Sequence, residues 1–284
     1  LILSSMVCGC VLTPPAPSAA PEFKTHCADS HKHVFGVSRQ IGEAVYICGR
    51  LGFDAVKQFE GFLEADENIT RVYMKSIGGF SRYAIRMVRL IRDYDLSVII
   101  GEQCLSSCAH FILTLSEDVT ILPDTLITFH QTNVGAGRMA RQNGYLTDDY
   151  NLSRWEKTER EQIAVFEEFG VDTLWLSEPT WRLESSCFVE HFTYDDTNYL
   201  MGLSMKGKFW FWTPNRTFMN FVCNTPIKGW WPKDREEHHR IAQKDGVEEP
   251  EGYQFQWYKP DEPVFVSAKP YYLPKCEEEE GEAE

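Results

Sequence analysis

From residue 43 to residue 130 the apolar positions switch repeatedly between short runs and a helical spacing. EAVYIC (43–48) is a short, partly β-branched run that stops at Gly49 and predicts a buried strand. Asp54 is placed to cap the next helix. In that helix Ala55, Val56, Phe59, Phe62 and Leu63 share one face, and Lys57, Gln58, Glu60 and Glu64 the other. RVYMKS (71–76) predicts a second strand, ending in Ile77-Gly78-Gly79. A second helix over about 81–93 turns Ala84, Met87, Val88 and Ile91 inward and Arg82, Arg86 and Arg89 outward. LSVIIG (96–101) predicts a third strand, QCLSSC a turn, AHFILTL a buried helix, and VTILP and TLITFH (125–130) two more short strands.

Strands alternating with helices call for a mainly parallel sheet, because parallel neighbours need crossovers and helices supply them. The expected class is therefore α/β, a mainly parallel sheet with flanking helices. In such sheets ligands sit beyond the carboxyl ends of the strands. Three loops fall there: Ser76 to Gly79, Gly101 to Ser107, and His130-Gln131. Residues 150–170 carry a further helical pattern, polar in its first half and stopped by Gly170, which reads as an arm extending from the body. From about residue 204 the composition shifts to KFWFWTPN, KGWWPKD, YQFQWYKP and KPYYLP, an aromatic, turn-rich extension whose rings are expected to form its own core, the alternative being a contact surface.

Composition narrows the partners. With 43% hydrophobic and 25% charged residues over 284 positions, a globular body is expected. A formal charge of −14 leaves no basic stripe for phosphates and argues against nucleic acid. Part of that charge lies in the acidic tail at 276–284, expected to be solvated. LILSSMVCGCVL followed by TPPAPSAAP reads as the remainder of a secretory signal and a Pro/Ala linker. Val7-Cys8-Gly9-Cys10 resembles a bacterial lipobox, which makes Cys10 the lipidation candidate and offers a membrane attachment. Nine cysteines fit an oxidising compartment, and with Cys8 and Cys10 in the leader seven remain, an odd number.

Acyl transfer by a serine needs a hydroxyl at a sharp turn, a base, and N–H groups aimed at the developing oxyanion. Ser106 stands where the third strand meets a buried helix, His130 closes a later strand at the same edge, and Gly78-Gly79 gives a loop without side chains. Singly, these are a cap, a strand-end histidine and a turn; their meeting on three carboxyl-end loops is the signal. Cys104 and Cys108, which fence the serines, have several readings: a disulfide clip, free buried thiols, a metal site with His110, or a thiol nucleophile at Cys108.

The stretch VYICGRLGFDAVKQFEGFLEADENITRVYMKSIGG, then CLSSCAHF and TLITFHQ, resembles the Clp protease proteolytic-subunit family of the ClpP/crotonase superfamily. It is closest to the exported, periplasmic branch with a Cys-x-Ser-x-Cys motif. The resemblance covers about 43–135 well and 150–203 faintly. It implies Ser106 as nucleophile, His130 as general base, and the backbone N–H groups of Gly79 and Ser107 as the oxyanion hole. For the acid that orients the histidine no residue falls cleanly into the slot before YLMGL; Glu184 is the first candidate and Asp172 the second. The resemblance further implies a peptide or protein substrate, no cofactor, no metal and assembly into homo-oligomers.

The expected organisation is a leader and linker over 1–24, a ClpP/crotonase-like domain over 25–203, the aromatic extension over 204–275 and the acidic tail over 276–284. The expected function is an exported serine endopeptidase, periplasmic or attached to the outer membrane of a Gram-negative bacterium. A second reading is a catalytically silent scaffold within a cell-envelope complex. A third is crotonase chemistry on an acyl thioester, which shares the oxyanion loops but does not need Ser106 and His130 together.

Overall fold

The computed structural model describes residues 26–27, 36–129, 132–135, 149–176, 189–194, 200–205, 212–213, 219, 227–233, 237, 240–241 and 256–257. Residues 1–25 with Cys10, the acidic tail, His130 and Glu184 lie outside the described residues.

The chain enters through a hairpin. Strand β1 (Val37–Ile41) pairs antiparallel with β2 (Ala44–Leu51) across Gly42, whose φ of 58° suits a tight reversal. Helix α1 (Phe53–Ala65) comes next, with Gly52 rather than Asp54 in the capping position. The expectation of an Asp54 cap is thus corrected: extended Gly52 delivers the chain into the helix before Asp54 is reached, and Asp54 sits inside the first turn, where the helix dipole favours a carboxylate. Strand β3 (Arg71–Gly79), helix α2 (Ser81–Asp93), strand β4 (Ser97–Leu105) and the π-wound helix α3 (Cys108–Leu113) continue the alternation.

Two three-residue strands, β5 (Val119–Ile121) and β6 (Leu126–Thr128), both pair parallel with β4. β5 meets Val98–Ile100 and β6 meets Gln103–Leu105, so one long strand serves two short ones in succession. The main sheet runs β1-β2-β3-β4-β5, and every pairing after the first hairpin is parallel. The α/β class with a mainly parallel sheet and flanking helices is the observed architecture.

Strand periodicity explains the layering. Val45, Ile47, Val72, Met74, Val98 and Ile100 face the helices and share the main core with Phe59, Val88 and Phe111. The alternate positions Ala44, Tyr46, Cys48, Tyr73 and Ile99 form a second, smaller cluster on the opposite face. There Tyr46 and Tyr73 stack at 4.6 Å, and a disulfide from Cys48 to Cys27 ties an N-terminal segment across the face.

Helix α4 (Asp149–Glu168) is not an arm. Trp155, Val165 and Phe166 are buried, Trp155 Nε1 donates to the Asn133 carbonyl at 2.9 Å, and Glu168 bridges Arg89 and Arg92 of α2. Inward polar positions of this helix are held by hydrogen bonds: Gln162 is also buried, its Nε2 donating to Asn133 Oδ1 at 2.9 Å. The Arg89 guanidinium on Glu168, reinforced by Arg92, holds that carboxyl below its usual range.

Farther along, β7 (Val189–Tyr194) and β8 (Leu200–Met205) pair antiparallel, and β9 (Trp212–Thr213) pairs with β11 (Gln256–Trp257). β10 (Lys228–Gly229) adds to the main sheet beside β5, and Met219, Ile227 and Trp231 join the main core. For these described residues of the aromatic stretch, packing is against the α/β body. Lys228 Nζ reaches Asp118 at 2.7 Å and Arg240 reaches Asp124 at 3.0 Å, fastening the segment at two points. Among the described residues no helix is long and apolar enough to cross a membrane.

Candidate active site

The site begins with an irregularity in β4. Met74 of β3 faces Ile100, but the next pairing is Ser76 with Cys104, so Lys75 alone spans Gly101, Glu102 and Gln103. Glu102 is the residue that turns, with φ at 61°, and its carboxylate closes on the ammonium of Lys75, a side chain only 5% exposed. A bulge of this kind bends a strand and re-aims the residues beyond it. Gln103, Cys104 and Leu105 then pair with β6, so the strand runs on to the nucleophile candidate instead of ending at Gly101. A lysine inside an otherwise apolar strand was the available sequence signal for this pair.

Ser106 takes the whole reversal in one residue, at φ 56°. Left-handed backbone in a residue with a Cβ costs roughly 1–3 kcal/mol and persists where surrounding contacts fix it. Two do so here: the Ser106 N–H donates to the Thr128 carbonyl at 3.0 Å, and the Ser106 carbonyl accepts from the His110 N–H at 2.9 Å. The first ties the turn to the end of β6, the second to α3. Ser106 is half-buried, Ser107 buried.

Gly78 and the serines are in direct contact. A Cβ on Gly78, where φ is 85°, would lie 2.5 Å from the Leu105 carbonyl oxygen, 2.6 Å from Ser106 Cβ and 2.9 Å from Ser107 N. Only glycine lets β3 approach this closely. Gly79, paired with Leu51 of β2, would drive a Cβ to 2.2 Å from the Leu51 oxygen. The loop is braced from below, where Ser76 Oγ donates to the Gly49 carbonyl at 2.6 Å and accepts from Gly78 N–H at 3.1 Å. Ser107 opens the helical turn, where N–H groups lack intrahelical acceptors, and its buried Oγ has no hydrogen-bond partner among the described residues.

Cys104 and Cys108 are joined by a disulfide, with both residues fully buried. This corrects the metal and thiol-nucleophile readings, since neither sulfur has a lone thiolate to offer. His110 lies buried in α3, edge-on to Phe129 with ring centres 5.2 Å apart. Among the described residues no group of three His, Cys, Asp or Glu could hold a metal ion.

The base and the acid of the expected triad, His130 and Glu184, fall outside the described residues, and so does Cys10. The residues bracketing His130 are placed: Phe129 is buried against Trp175 at 5.1 Å, and Thr132 Oγ1 donates to the Leu176 carbonyl. Asp172, the second acid candidate, is exposed, and its backbone carbonyl accepts from Trp175 N–H at 3.2 Å.

No protein-family model matches this chain, and no curated protein matches it in sequence. Among solved structures it is similar to a ClpP1 point mutant from Listeria monocytogenes. The two share 17% identity over 45% of this chain and 77% of that one, with a TM-score of 0.31. The chemistry open to the site comes from its own geometry: a strained hydroxyl at a strand-to-helix turn, with a glycine loop packed on it.

Proposed function

We propose that this chain is a Clp-like serine peptidase in which Ser106 is the nucleophile. The observation that carries the reading is the left-handed Ser106 held against Gly78, with Ser107 N–H beginning the next helix. A turn of that form exposes a hydroxyl at the sheet edge and sets backbone donors beside it. His130, two residues beyond the carbonyl that receives Ser106 N–H, is the proposed general base. Ser106 Oγ attacks the peptide carbonyl carbon while its proton passes to His130. The oxyanion is held by Gly79 and Ser107 N–H groups, and the leaving amine takes the proton back from the imidazole. Water then hydrolyses the acyl-enzyme by the same route. Glu184 is the proposed orienting acid.

Two disulfides among the described residues support export to an oxidising compartment, the bacterial periplasm in this reading, with Cys10 as the proposed lipid anchor. Homo-oligomers and membership of an envelope complex belong to the same proposal. A silent scaffold is favoured by one observation: Trp230, from the C-terminal segment, packs against the same Leu126 and Ile241 cluster as Leu105, the residue before the proposed nucleophile. Hydrolysis of unfolded casein, followed as released amines, separates the two. Wild type is expected to turn over and Ser106→Ala and His130→Ala to lose at least ~10³-fold; equal rates in all three, or none in any, remove the peptidase reading.

A further inference from the structure

The glycine loop is flanked by side chains that the proposed chemistry does not use. Among the described residues five large hydrophobics are exposed, and three of them, Phe53 at 58%, Ile77 at 51% and Phe80 at 41%, lie at or just beyond the carboxyl ends of β2 and β3. Ile77 and Phe80 directly bracket Gly78-Gly79, and Arg50 stands opposite Gly78 in the strand register. Tyr83 links the rings, 6.3 Å from Phe53 and 6.0 Å from Phe80.

Each ring carries a cation. Arg50 lies 5.0 Å over Phe80, Arg82 lies 5.5 Å from Phe80 and 4.6 Å from Tyr83, and Lys57 lies 5.8 Å from Phe53. Arg86, Arg89 and Arg92 on the same helix α2 are neutralised by Glu60, Glu168 and Asp93. Arg50, Lys57 and Arg82 pair with no carboxylate among the described residues; Arg82 Nη2 donates only to the Tyr83 hydroxyl, at 3.0 Å. Three cations without an ion pair among the described residues, in a chain of net charge −14, form a positive patch beside the glycine loop.

We propose that Arg50, Lys57 and Arg82, with Phe53, Ile77 and Phe80, form a docking surface for an acidic peptide segment that also carries apolar side chains. Carboxylates meet the guanidinium and ammonium groups, and the rings take the apolar side chains while strengthening the cations as water is displaced. A polyphosphate is disfavoured because the acidic remainder of the chain repels a long anion, whereas a short peptide meets only the local patch. That this peptide is the substrate flanking the scissile bond rests on the peptidase reading; its binding does not.

The test is fluorescence anisotropy with full-length Ser106→Ala protein, which separates binding from turnover. The probes are a fluorescein-labelled peptide of alternating Glu, Asp, Leu and Phe, and an equal-length peptide with Lys for each acid. The acidic peptide is expected to bind and the basic one not. Arg50→Gln/Arg82→Gln should weaken binding at least tenfold and Phe80→Ala several-fold, with circular dichroism unchanged; Lys57→Gln serves if the double variant misfolds. Equal binding of both peptides, no binding, unchanged affinity in the variants, or displacement by oligo-dT at lower concentration than by unlabelled peptide would overturn the assignment. Binding without wild-type hydrolysis keeps this surface and removes the peptidase; hydrolysis with no preference for acidic peptides does the reverse.

Discussion

Ser106 combines two demands that oppose each other. A serine at φ 56° is less stable than glycine would be there, yet the proposed nucleophile requires a side chain. Ser106→Gly is therefore expected to raise stability in urea by about 1 kcal/mol, strain relief exceeding the entropy that glycine adds to the unfolded chain. An unchanged or lower midpoint would mean that the turn is not strained. The alternation of apolar strand and buried helix around CLSSC made the strand-to-helix turn readable, whereas the preference for Ser106 over Ser107 came from the family resemblance. What stayed hidden was that Gln103 to Leu105 remain in the strand, because the bulge that permits it depends on a glutamate in left-handed backbone, against its local preference.

That bulge gives β4 its path. Lys75 and Glu102 oppose one another across it, with the lysine side chain 5% and the glutamate 26% exposed. Glu102→Gln takes the carboxylate away from the buried Lys75 ammonium and should cost about 2 kcal/mol in chemical denaturation, less than for a fully buried pair because Glu102 retains some water. Glu102→Gln/Lys75→Met should recover much of that loss; if the double variant is no better than the single, the ion pair does not support the bulge. Elements with a strong apolar period were legible: β2, β3, β4 and the inward faces of α1 and α2. β1 was not, since VSRQI is a polar edge strand whose partner alone explains it, and α4 was misread because it buries Gln162 and Trp155 through hydrogen bonds.

Across the whole molecule, the least legible feature is the closing of the sheet by a two-residue strand more than a hundred positions from its partner. Lys228-Gly229 has no local signal of its own; its place comes from Ile227 and Trp231 entering the core and from Lys228 meeting Asp118. The Lys228 ammonium, aided by the Ser97 hydroxyl, holds the Asp118 carboxyl below its ordinary 3.8. A depressed folded pKa adds stability that is complete above the ordinary carboxylate range and is lost as pH falls through the folded value. Both partners are well exposed, so the effect is small, below about 1 kcal/mol. Limited proteolysis should release the C-terminal segment faster in acid, and Asp118→Asn should already show faster release at neutral pH with less change on acidification. Identical pH profiles for the two proteins would refute the tether.

The assignment of Ser106 as nucleophile is tested most directly by the intact mass of the protein after exposure to a fluorophosphonate, followed by peptide mapping. One adduct on Ser106, absent from Ser106→Ala and slowed in His130→Ala, is the predicted result. An adduct on another residue, or none on folded protein, would contradict it.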